Sequence, residues 1–365
     1  MRETAAALSL AAVAFGPASV EAAPAAVSLG GYSKWWISAQ WSDADFLAGA
    51  AADYNSLDVK GDNEVHATVA KPLDNGLMVG ARIELEAGGH TDQATDTIDK
   101  SYVWIEGAAG KLELGSDYNA ASLLHVAAPE AAGLWNGPPM GMLSGTVVPR
   151  PAAVRTMYSG NQTGLDHDDN AEKILYFTPS FGGLTLGLSH TPDALSEDDR
   201  SPAQARASTA AGLVYQGTVA GHAVTASAGA LVAELDTRTN VTAFSVGGQA
   251  VLGMITLGGS LGDDRHEHDG PVAVDDGGRS WDVGVMLEHG PWKTSVNHYR
   301  SRVRGSVDNP DDDRITVTQV SAKVTIGAGV ALMGAAGHIT YEDEGGRPAD
   351  NNRGYAVTTG MGLWF

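Results

Sequence analysis

The sequence has no cysteine among its 365 residues, so a disulfide scaffold and a thiolate metal site are both excluded. Positive charge is also scarce, because 23 lysines and arginines stand against 44 aspartates and glutamates, for a formal net charge of −21. Nucleic-acid binding needs a basic surface, and that class of function is therefore excluded. After the first residues no run approaches the ~20 apolar residues of a membrane-spanning helix, but the ~9–11 residues of a barrel strand are available.

The first 22 residues have the pattern of a secretory signal peptide. An apolar run from Ala5 to Phe15 is followed by small residues around Ala22, as at a cleavage site. The mature protein is therefore expected to comprise residues 23–365 and to leave the cytoplasm.

From residue 27 onward, apolar and polar residues alternate in one segment after another. A period of two predicts β-strands with one apolar face. In the first segment the predicted outer face carries Val27, Leu29, Trp35, Ile37 and Trp41, and the other face Tyr32, Lys34, Trp36, Ser38 and Gln40. About sixteen segments share this pattern, near 27–41, 57–71, 77–88, 97–107, 110–116, 171–179, 183–191, 206–219, 221–234, 240–252, 254–262, 280–289, 291–303, 314–326, 329–341 and 353–365.

The connections between these segments alternate between short turns and long, acidic loops. Short connections such as 220–221 and 290–291 follow one end of the segments, and long ones such as 42–56 and 263–279 follow the other. This alternation is typical of a transmembrane β-barrel with turns on one rim and loops on the other. No fixed sequence repeat indicates a propeller or a solenoid. The sequence therefore predicts an all-β protein, an antiparallel transmembrane barrel of about 16 strands.

Residues 116–170 break the alternation for longer than any other stretch. The segment contains scattered glycine and proline, which argues against a strand, and apolar residues such as Leu124 and Val126 that need a surface to pack on. We therefore expect it to fold into the lumen of the barrel.

The chain ends on a further alternating strand, Gly354 to Phe365, whose last residue is aromatic. A terminal Phe365 resembles the assembly signal of Gram-negative outer-membrane barrels. Together with it, LGGYSKWW near the amino end, DKSYVWIEGAAGKLELGS (99–116) and KILYFTPSFGGLTLGLSH (173–190) resemble the general porins, the sixteen-stranded trimeric family.

The resemblance covers the whole mature chain. It implies a homotrimer in the outer membrane of a Gram-negative bacterium, in contact with outer-membrane lipid and lipopolysaccharide. Each barrel would be a water-filled channel for passive diffusion of small hydrophilic solutes and ions. The third extracellular loop, which 116–170 matches by strand count, would narrow it.

The resemblance also implies a pore constriction. Within the loop, Pro129-Glu130-Ala131-Ala132-Gly133 partly matches a motif of the family, so Glu130 is expected at the constriction. It would face a basic wall formed by cationic residues of the early strands, namely Lys34, Lys60, His66 and Arg82. Because the outer loops are acidic, a weak preference for cations is expected.

Aromatic residues near strand ends are expected to form girdles at the lipid headgroups. They are Trp35, Trp41, Trp281, Trp292, Tyr355 and Phe365.

Two other classes of function remain open. A barrel-embedded enzyme, such as a phospholipase, needs a serine and a histidine on one face, whereas Ser189 and His190 are adjacent and point to opposite faces. A structural or adhesin barrel would have a plugged lumen. Several glycines on the predicted lumen face instead leave space: Gly30, Gly80, Gly258, Gly284, Gly360 and Gly362.

No cofactor and no metal centre is expected, although a loop-bound Ca²⁺ remains open. His266-Glu267-His268 is interpreted as a solvated loop tip without a third ligand. Two aspartate groups are rich enough in oxygen to bind a hard cation, although neither has EF-hand spacing. They are Asp166, Asp168 and Asp169, and Asp308, Asp311, Asp312 and Asp313.

Overall fold

The computed structural model describes residues 24–50, 53–87, 98–133, 147–157, 162–194, 207–235, 239–269, 277–304 and 311–365. Sixteen antiparallel strands form a closed barrel in which each strand pairs with its sequence neighbours and β1 pairs with β16. The strands are β1 Ala26–Trp41, β2 Leu57–Pro72, β3 Met78–Glu86, β4 Ile98–Gly107, β5 Gly110–Ser116, β6 Glu172–Phe177, β7 Leu184–Thr191, β8 Ser208–Val219, β9 His222–Glu234, β10 Thr239–Leu252, β11 Ile255–His268, β12 Gly278–His289, β13 Trp292–Arg304, β14 Asp312–Gly327, β15 Val330–Glu342 and β16 Asn352–Trp364.

Among the described residues, three short helices accompany the strands. They are α1 Ala44–Gly49, α2 Ala120–Leu123 and the 3₁₀ turn Pro348–Asp350. Among the described residues, no helix has the length and the apolar character needed to cross a membrane. The predicted signal peptide, residues 1–22, lies outside the described residues.

Each strand separates its side chains into an outer and a lumen face, because successive residues point to opposite sides. On β1, Trp35 and Ile37 are exposed on the outside, whereas Lys34 and Trp36 are buried on the lumen side. The register extends these faces around the wall, since Lys34 lies opposite Asp62 of β2. The two faces predicted for β1 are therefore confirmed, and apolar side chains cover the outside as a lipid-embedded wall requires.

The sixteen predicted segments correspond one to one to the sixteen strands. The largest difference is β11, which continues to His268 instead of ending near residue 262. His266 and His268 therefore lie in a strand, with His266 opposite the buried Val241 on the lumen face. The interpretation of these two histidines as part of a loop tip is wrong. The strand continues beyond the last residue of its apolar alternation, so its polar end still belongs to the barrel wall.

The outward position of Val246, near the middle of β10, gives a direct test of the facing. Val246→Arg is expected to lower the free energy of unfolding by about 2–4 kcal/mol, because it places a charge near the centre of the lipid band. Thr225→Arg, on the lumen side of the neighbouring β9, is expected to cost much less. Urea unfolding in lipid vesicles measures both values, and equal losses would contradict the assigned faces.

Candidate functional site

The chain between β5 and β6 is called the inner loop here, and its described residues, 117–133, 147–157 and 162–171, lie inside the barrel. Its first part crosses the lumen faces of β7 to β13. There its backbone N–H groups donate to side chains of the wall. The pairs are Ala120 N to Ser189 Oγ (3.0 Å), Val126 N to Ser227 Oγ (2.9 Å), Ala128 N to Asp282 Oδ1 (2.9 Å) and Ala131 N to Ser295 Oγ (3.1 Å). The lumen location predicted for residues 116–170 is thus confirmed for the described part; residues 134–146 and 158–161 lie outside the described residues.

Glycines on the lumen face let the inner loop approach the wall closely. A Cβ on Gly212 would lie 2.3 Å from the carbonyl oxygen of Ala120, and one on Gly247 only 1.8 Å from that of Val126. Neither distance is compatible with a side chain, so glycine is required at both positions.

The glycines predicted to leave the lumen open have a different role. Cβ atoms on Gly258 and Gly284 would meet Pro129 of the inner loop, and one on Gly360 would meet Trp36. A Cβ on Gly80 would meet the ring of Trp104 at 2.4 Å. The prediction that glycines keep space empty is wrong for these four, because neighbouring side chains and the inner loop occupy that space.

Adjacent glycines of β10 allow a matched test of this close approach. Gly247→Ala is expected to destabilise the folded barrel by about 1–3 kcal/mol, because the inner loop must shift away from the new methyl group. Gly248→Ala points outward, where its methyl group meets the carbonyl oxygen of Thr225 at 3.2 Å, and should have little effect. Thermal unfolding in detergent compares the two variants. Similar melting temperatures would contradict the close contact between the Val126 backbone and Gly247.

The later part of the inner loop packs on an apolar region of the wall. Val148 and Val154 are fully buried there, together with Ile315, Ile339 and Tyr341 of β14 and β15. The Tyr341 hydroxyl donates to the carbonyl oxygen of Val148 (3.1 Å). Each large apolar side chain buried in this way contributes roughly 1.5–3 kcal/mol. The inner loop is therefore fixed to the wall twice, by hydrogen bonds of its first part and by apolar packing of its later part.

Hydrogen bonds close the root of the inner loop. Asn119 Nδ2 donates to Asp168 Oδ1 (2.8 Å), and Thr191 Oγ1 of β7 donates to Asp168 Oδ2 (2.6 Å). Lys173 Nζ donates to backbone carbonyl groups on both sides of the root, those of Asp117 and Asp169. These contacts fix where the loop leaves and rejoins the wall.

Two titratable groups of the inner loop, Asp166 and His125, are half-buried and have shifted pKa values. Burial, and then the negative charges of Asp169 and Asp168, raise the pKa of Asp166 to about 7. Burial lowers the pKa of His125 to about 4. The imidazole makes a 3.0 Å hydrogen bond between Nε2 and the Thr163 hydroxyl.

These shifts have opposite effects on stability. Between about pH 4 and 7 folded Asp166 keeps a proton that the unfolded chain releases, so its contribution falls as pH rises. The contribution of His125 is lost as pH falls from about 6.5 to 4, because the unfolded chain then binds the extra proton. Relative to the wild type, Asp166→Asn should gain stability as pH rises from about 4 to 7. His125→Gln should gain stability relative to the wild type as pH falls from about 6.5 to 4. Urea unfolding across this range measures both, and parallel curves would contradict the assigned burial.

The lumen faces of β1 to β5 form a wall of mixed charge. Lys34, Lys60, His66 and Arg82 all lie on it, as predicted, but each has a carboxylate partner on the same wall. The pairs are Lys34–Asp62 (2.7 Å), Lys60–Asp58 (3.0 Å), His66–Glu64 (2.6 Å) and Arg82–Glu84 (2.5 Å). The four bases predicted to form a basic wall therefore belong to a wall of mixed charge, because same-face acids alternate with them along these strands.

Glu130 lies against β13 and β14. Its carboxylate accepts from the backbone N–H groups of Ala132 (2.9 Å) and Gly133 (2.6 Å), and Gln319 Nε2 stands 3.5 Å away. The cation on which its charge acts is Lys323 of β14, whereas the interactions described for Lys34 and Arg82 are with acids of their own wall. That Glu130 faces Lys34 and Arg82 across a constriction remains a prediction.

On this charged wall several bases reach further into the lumen than their acid partners. The Lys111 side chain is 31% exposed and Glu113 only 4%. Arg82 is likewise 31% exposed and Glu84 only 7%. Solutes passing this part of the wall therefore meet cationic groups first, although the chain as a whole is acidic. Two pairs are exceptions, since Asp58 is more exposed than Lys60 and Asp62 is more exposed than the fully buried Lys34.

The aromatic residues predicted for the girdles all lie on the outer face and are exposed there. Trp41 pairs with Tyr355 near the rim of the long connections, and Trp292 begins β13 at the rim of the short turns. Trp35 lies further along β1, opposite Gly61 and Met361. Their role at the headgroups remains a prediction.

Phe365 joins the two ends of the barrel. It exchanges backbone hydrogen bonds with Gly31 of β1 (3.0 and 3.1 Å), and its ring is exposed on the outside. Its role as an assembly signal remains a prediction.

Two groups of possible metal ligands come together among the described residues. One is Glu64, His66 and Glu84, and the other is Asp313, Asp343 and Glu344. Each already has a cation in contact, because Arg82 bonds Glu84, and Arg155 pairs with Asp313 (2.9 Å) and Glu344 (2.6 Å). Neither group therefore argues for a resident metal.

The two aspartate groups considered for Ca²⁺ in the sequence are already engaged in part by other contacts. Both carboxylate oxygens of Asp168 accept hydrogen bonds from side chains, Asp308 lies outside the described residues, and Asp313 is held by Arg155. A Ca²⁺ bound at Asp166, Asp168 and Asp169 or at Asp311 and Asp312 remains a prediction.

The serine and histidine considered for catalysis are separated by the wall. Ser189 Oγ accepts from Ala120 N in the lumen, whereas His190 lies outside, where its Nδ1 pairs with Thr209.

A closed barrel with apolar outer faces and an inner loop defines an outer-membrane β-barrel protein. A family model for Gram-negative porins matches residues 5–344, and the chain belongs to this family. The family and the barrel place it in the outer membrane of a Gram-negative bacterium. The curated relatives are more distant: an uncharacterised protein of Rickettsia conorii is 27% identical over 140 residues. That match covers 35% of this chain and 31% of the relative, so the chain spans about a third of the relative's length.

Solved porin structures share the whole fold. An anion-selective porin from Comamonas acidovorans has a TM-score of 0.68 at 17% identity, over 94% of this chain and 100% of that chain. A loop L8 deletion mutant of OmpT, an outer membrane protein of Vibrio cholerae, has a TM-score of 0.63 at 10% identity, over 93% of this chain and 99% of that chain. At these identities the likeness concerns the fold.

Proposed function

We propose that the protein is a channel for the passive diffusion of small hydrophilic solutes and ions through the outer membrane. The observation that carries this proposal is the charged wall of β1 to β5, which lines the lumen beside the inner loop. Acidic and basic side chains line the lumen face of these strands, and the described residues of the inner loop pack mainly on the other strands. A liposome swelling assay with neutral sugars tests it. Rates should fall steeply as sugar size increases, and impermeable vesicles containing folded protein would contradict the proposal.

The charge preference that the geometry supports is for anions at the narrow part of the lumen. Lys111 and Arg82 are more exposed than Glu113 and Glu84, and Lys323 adds a further base on the lumen face of β14. This differs from the weak cation preference expected from the acidic loops, which act at the mouth and are screened within ~10 Å at 0.1 M salt. The reversal potential in a salt gradient decides between the two, since its sign gives the preferred ion.

We favour a channel over a barrel-embedded hydrolase. The lipid side carries His190 and the lumen side Ser189, so this pair cannot act in one triad. Hydrolysis of a short-chain ester by the purified barrel would contradict this choice.

The assembly that we propose is a homotrimer. One solved form of OmpT of Vibrio cholerae is a trimer form. On this chain the outer face of β2 to β5 has an apolar depression of about 470 Å³. Its lining includes Val69, Val79, Ala81, Val103, Ile105 and Leu112. A concave apolar surface of small side chains suits contact with another protein wall. Lipid and lipopolysaccharide would cover the remaining outer face.

A further inference from the structure

Six arginines gather on the outer face of β11 to β14, near the rim of the long connections. They are Arg265, Arg279, Arg300, Arg302, Arg304 and Arg314. Of the described residues, four carboxylates share this part of the outer face: Asp263, Glu267, Asp312 and Glu342. Positive charge therefore predominates locally, in a chain whose net charge is −21.

The register places three of these arginines side by side. Arg279 lies directly opposite Arg302, and Arg302 directly opposite Arg314. Asp263 and Glu342 end the row on either side. Like charges directly opposite each other destabilise a sheet. An anion between them would remove that repulsion.

The acids at the ends of the row leave its centre positive. Arg279 Nε is 2.5 Å from Asp263, which also binds Arg265 Nε at 2.7 Å. Arg314 reaches Glu342 only at 3.9 Å. Within the described part of the chain, no carboxylate lies within ion-pair distance of Arg302. The guanidinium group of Arg302, at the centre of the row, is therefore the one whose charge an external anion would neutralise most.

The row also lies at the depth of the lipid headgroups. Trp292 and Arg302 are both on the outer face of β13, at opposite ends of its apolar stretch. Ten residues at about 3.4 Å each, on a strand tilted by about 40°, span about 26 Å, close to the ~25 Å height of the apolar band. If Trp292 marks one edge of the band, Arg302 marks the other.

The arginine row lies beside exposed apolar side chains, and this combination fits an anionic lipid better than a free anion. A cleft of about 340 Å³ is lined by Arg265, Arg279, Arg302 and Arg304, with Asp263, Asp264, Gly278 and Asp312. Next to it on the outer face lie the exposed side chains of Leu261, Trp281 and Val283. A molecule bound here can place anionic oxygens against guanidinium groups and acyl chains against the apolar belt.

We propose that this arginine cluster binds the phosphate groups of a phosphorylated glycolipid of the outer leaflet. Arginine suits this role, because its planar guanidinium group can bind two phosphate oxygens at once and remains charged. The inference rests on the proposed function only in placing the rim of the long connections at the outer leaflet. It assigns a site to a lipid partner that the sequence indicates only in general terms.

The test compares lipid binding by the full-length wild type and a double variant, Arg302→Gln with Arg314→Gln. Native mass spectrometry of the barrel in detergent is titrated with bisphosphorylated lipid A, and in parallel with the same glycolipid lacking phosphate and with inorganic phosphate. Lys71→Gln is the matched control, because Lys71 also lies on the outer face but at the opposite rim; since Lys71 borders the apolar depression of β2 to β5, the same spectra must show that this variant keeps the wild-type oligomeric state. We expect the double variant to bind the bisphosphorylated lipid at least about tenfold more weakly, and the Lys71 variant to bind it like the wild type.

Arg302→Lys with Arg314→Lys should give an intermediate affinity, since charge is kept but bidentate binding is lost. Equal affinity of the wild type and the Gln variant would overturn the proposal. So would an equal loss in the Lys71 variant, or equal wild-type affinity for the lipid lacking phosphate. Binding of inorganic phosphate as tight as that of the lipid would make the site a free-anion site instead. Conductance is recorded on the same samples: a wild type that binds the lipid but forms no channel would refute the proposed function and leave this site standing.

Discussion

Deleting Pro129 to Met142 raises the single-channel conductance by about twofold or more, because conductance follows the open cross-section of a pore. The deletion removes the part of the inner loop that crosses toward β13 and β14, where Ala131 N donates to Ser295 and the Pro129 carbonyl accepts from Asn297 (2.6 Å). It leaves the root and the contacts of Ala120, Val126 and Ala128 with the wall. The barrel itself is therefore expected to fold.

The measurement is conductance in a planar bilayer, paired with liposome swelling by sugars too large for the wild type. Heat-modifiable migration on gels establishes that the variant barrel has folded. The barrier to large sugars should disappear in the same sample. A folded variant with wild-type conductance would show that residues 129–142 do not restrict the pore.

Replacing the exposed bases of the charged wall shifts the channel toward cations. In Arg82→Ala with Lys111→Ala, the carboxylates of Glu84 and Glu113 lose the partners that cover them. The wall then presents negative charge to the lumen, and the cation-to-anion permeability ratio should rise severalfold. The shift should be larger at low salt, because the screening length grows from about 3 Å at 1 M to about 30 Å at 0.01 M.

Two further variants complete this series. Glu130→Gln should shift selectivity in the opposite direction, toward anions, because it removes the carboxylate that acts on Lys323. Lys71→Gln removes a lysine from the outer face and should leave the reversal potential unchanged. If the double alanine variant and the wild type have the same reversal potential at low salt, the charged wall does not govern ion passage.

The barrel could be predicted from the sequence because period-two alternation records both faces of a strand at once. Val27 to Trp41 shows this most clearly, since the apolar residues assigned to one face (Val27, Leu29, Trp35, Ile37 and Trp41) are all exposed in the structure. The lumen location of the inner loop followed from apolar residues in a segment unsuited to a strand. These are local properties, and each can be evaluated without knowing which strand lies opposite.

The partners of the lumen charges were missed although the sequence carries a signal for them. Arg82 and Glu84, and likewise Lys111 and Glu113, are two residues apart and so share one face of a strand. Reading acids and bases at this spacing together would have predicted a wall of mixed charge.

The apolar part of the lumen wall could not be predicted in the same way. Ile315 and Ile339 face the lumen and are buried only because Val148 and Val154 of the distant inner loop cover them. On β14 apolar residues occur on both faces, so alternation alone does not identify the lumen side. The close approach at Gly247 likewise depends on where the inner loop crosses β10.

The central claim is that this barrel is an open channel narrowed by the inner loop, and single-channel recording of the wild type in a planar bilayer tests it most directly. The account predicts discrete conductance steps that persist at low voltage, with a reversal potential in a salt gradient whose sign indicates anions. A correctly folded barrel that inserts but gives no conductance steps would contradict it.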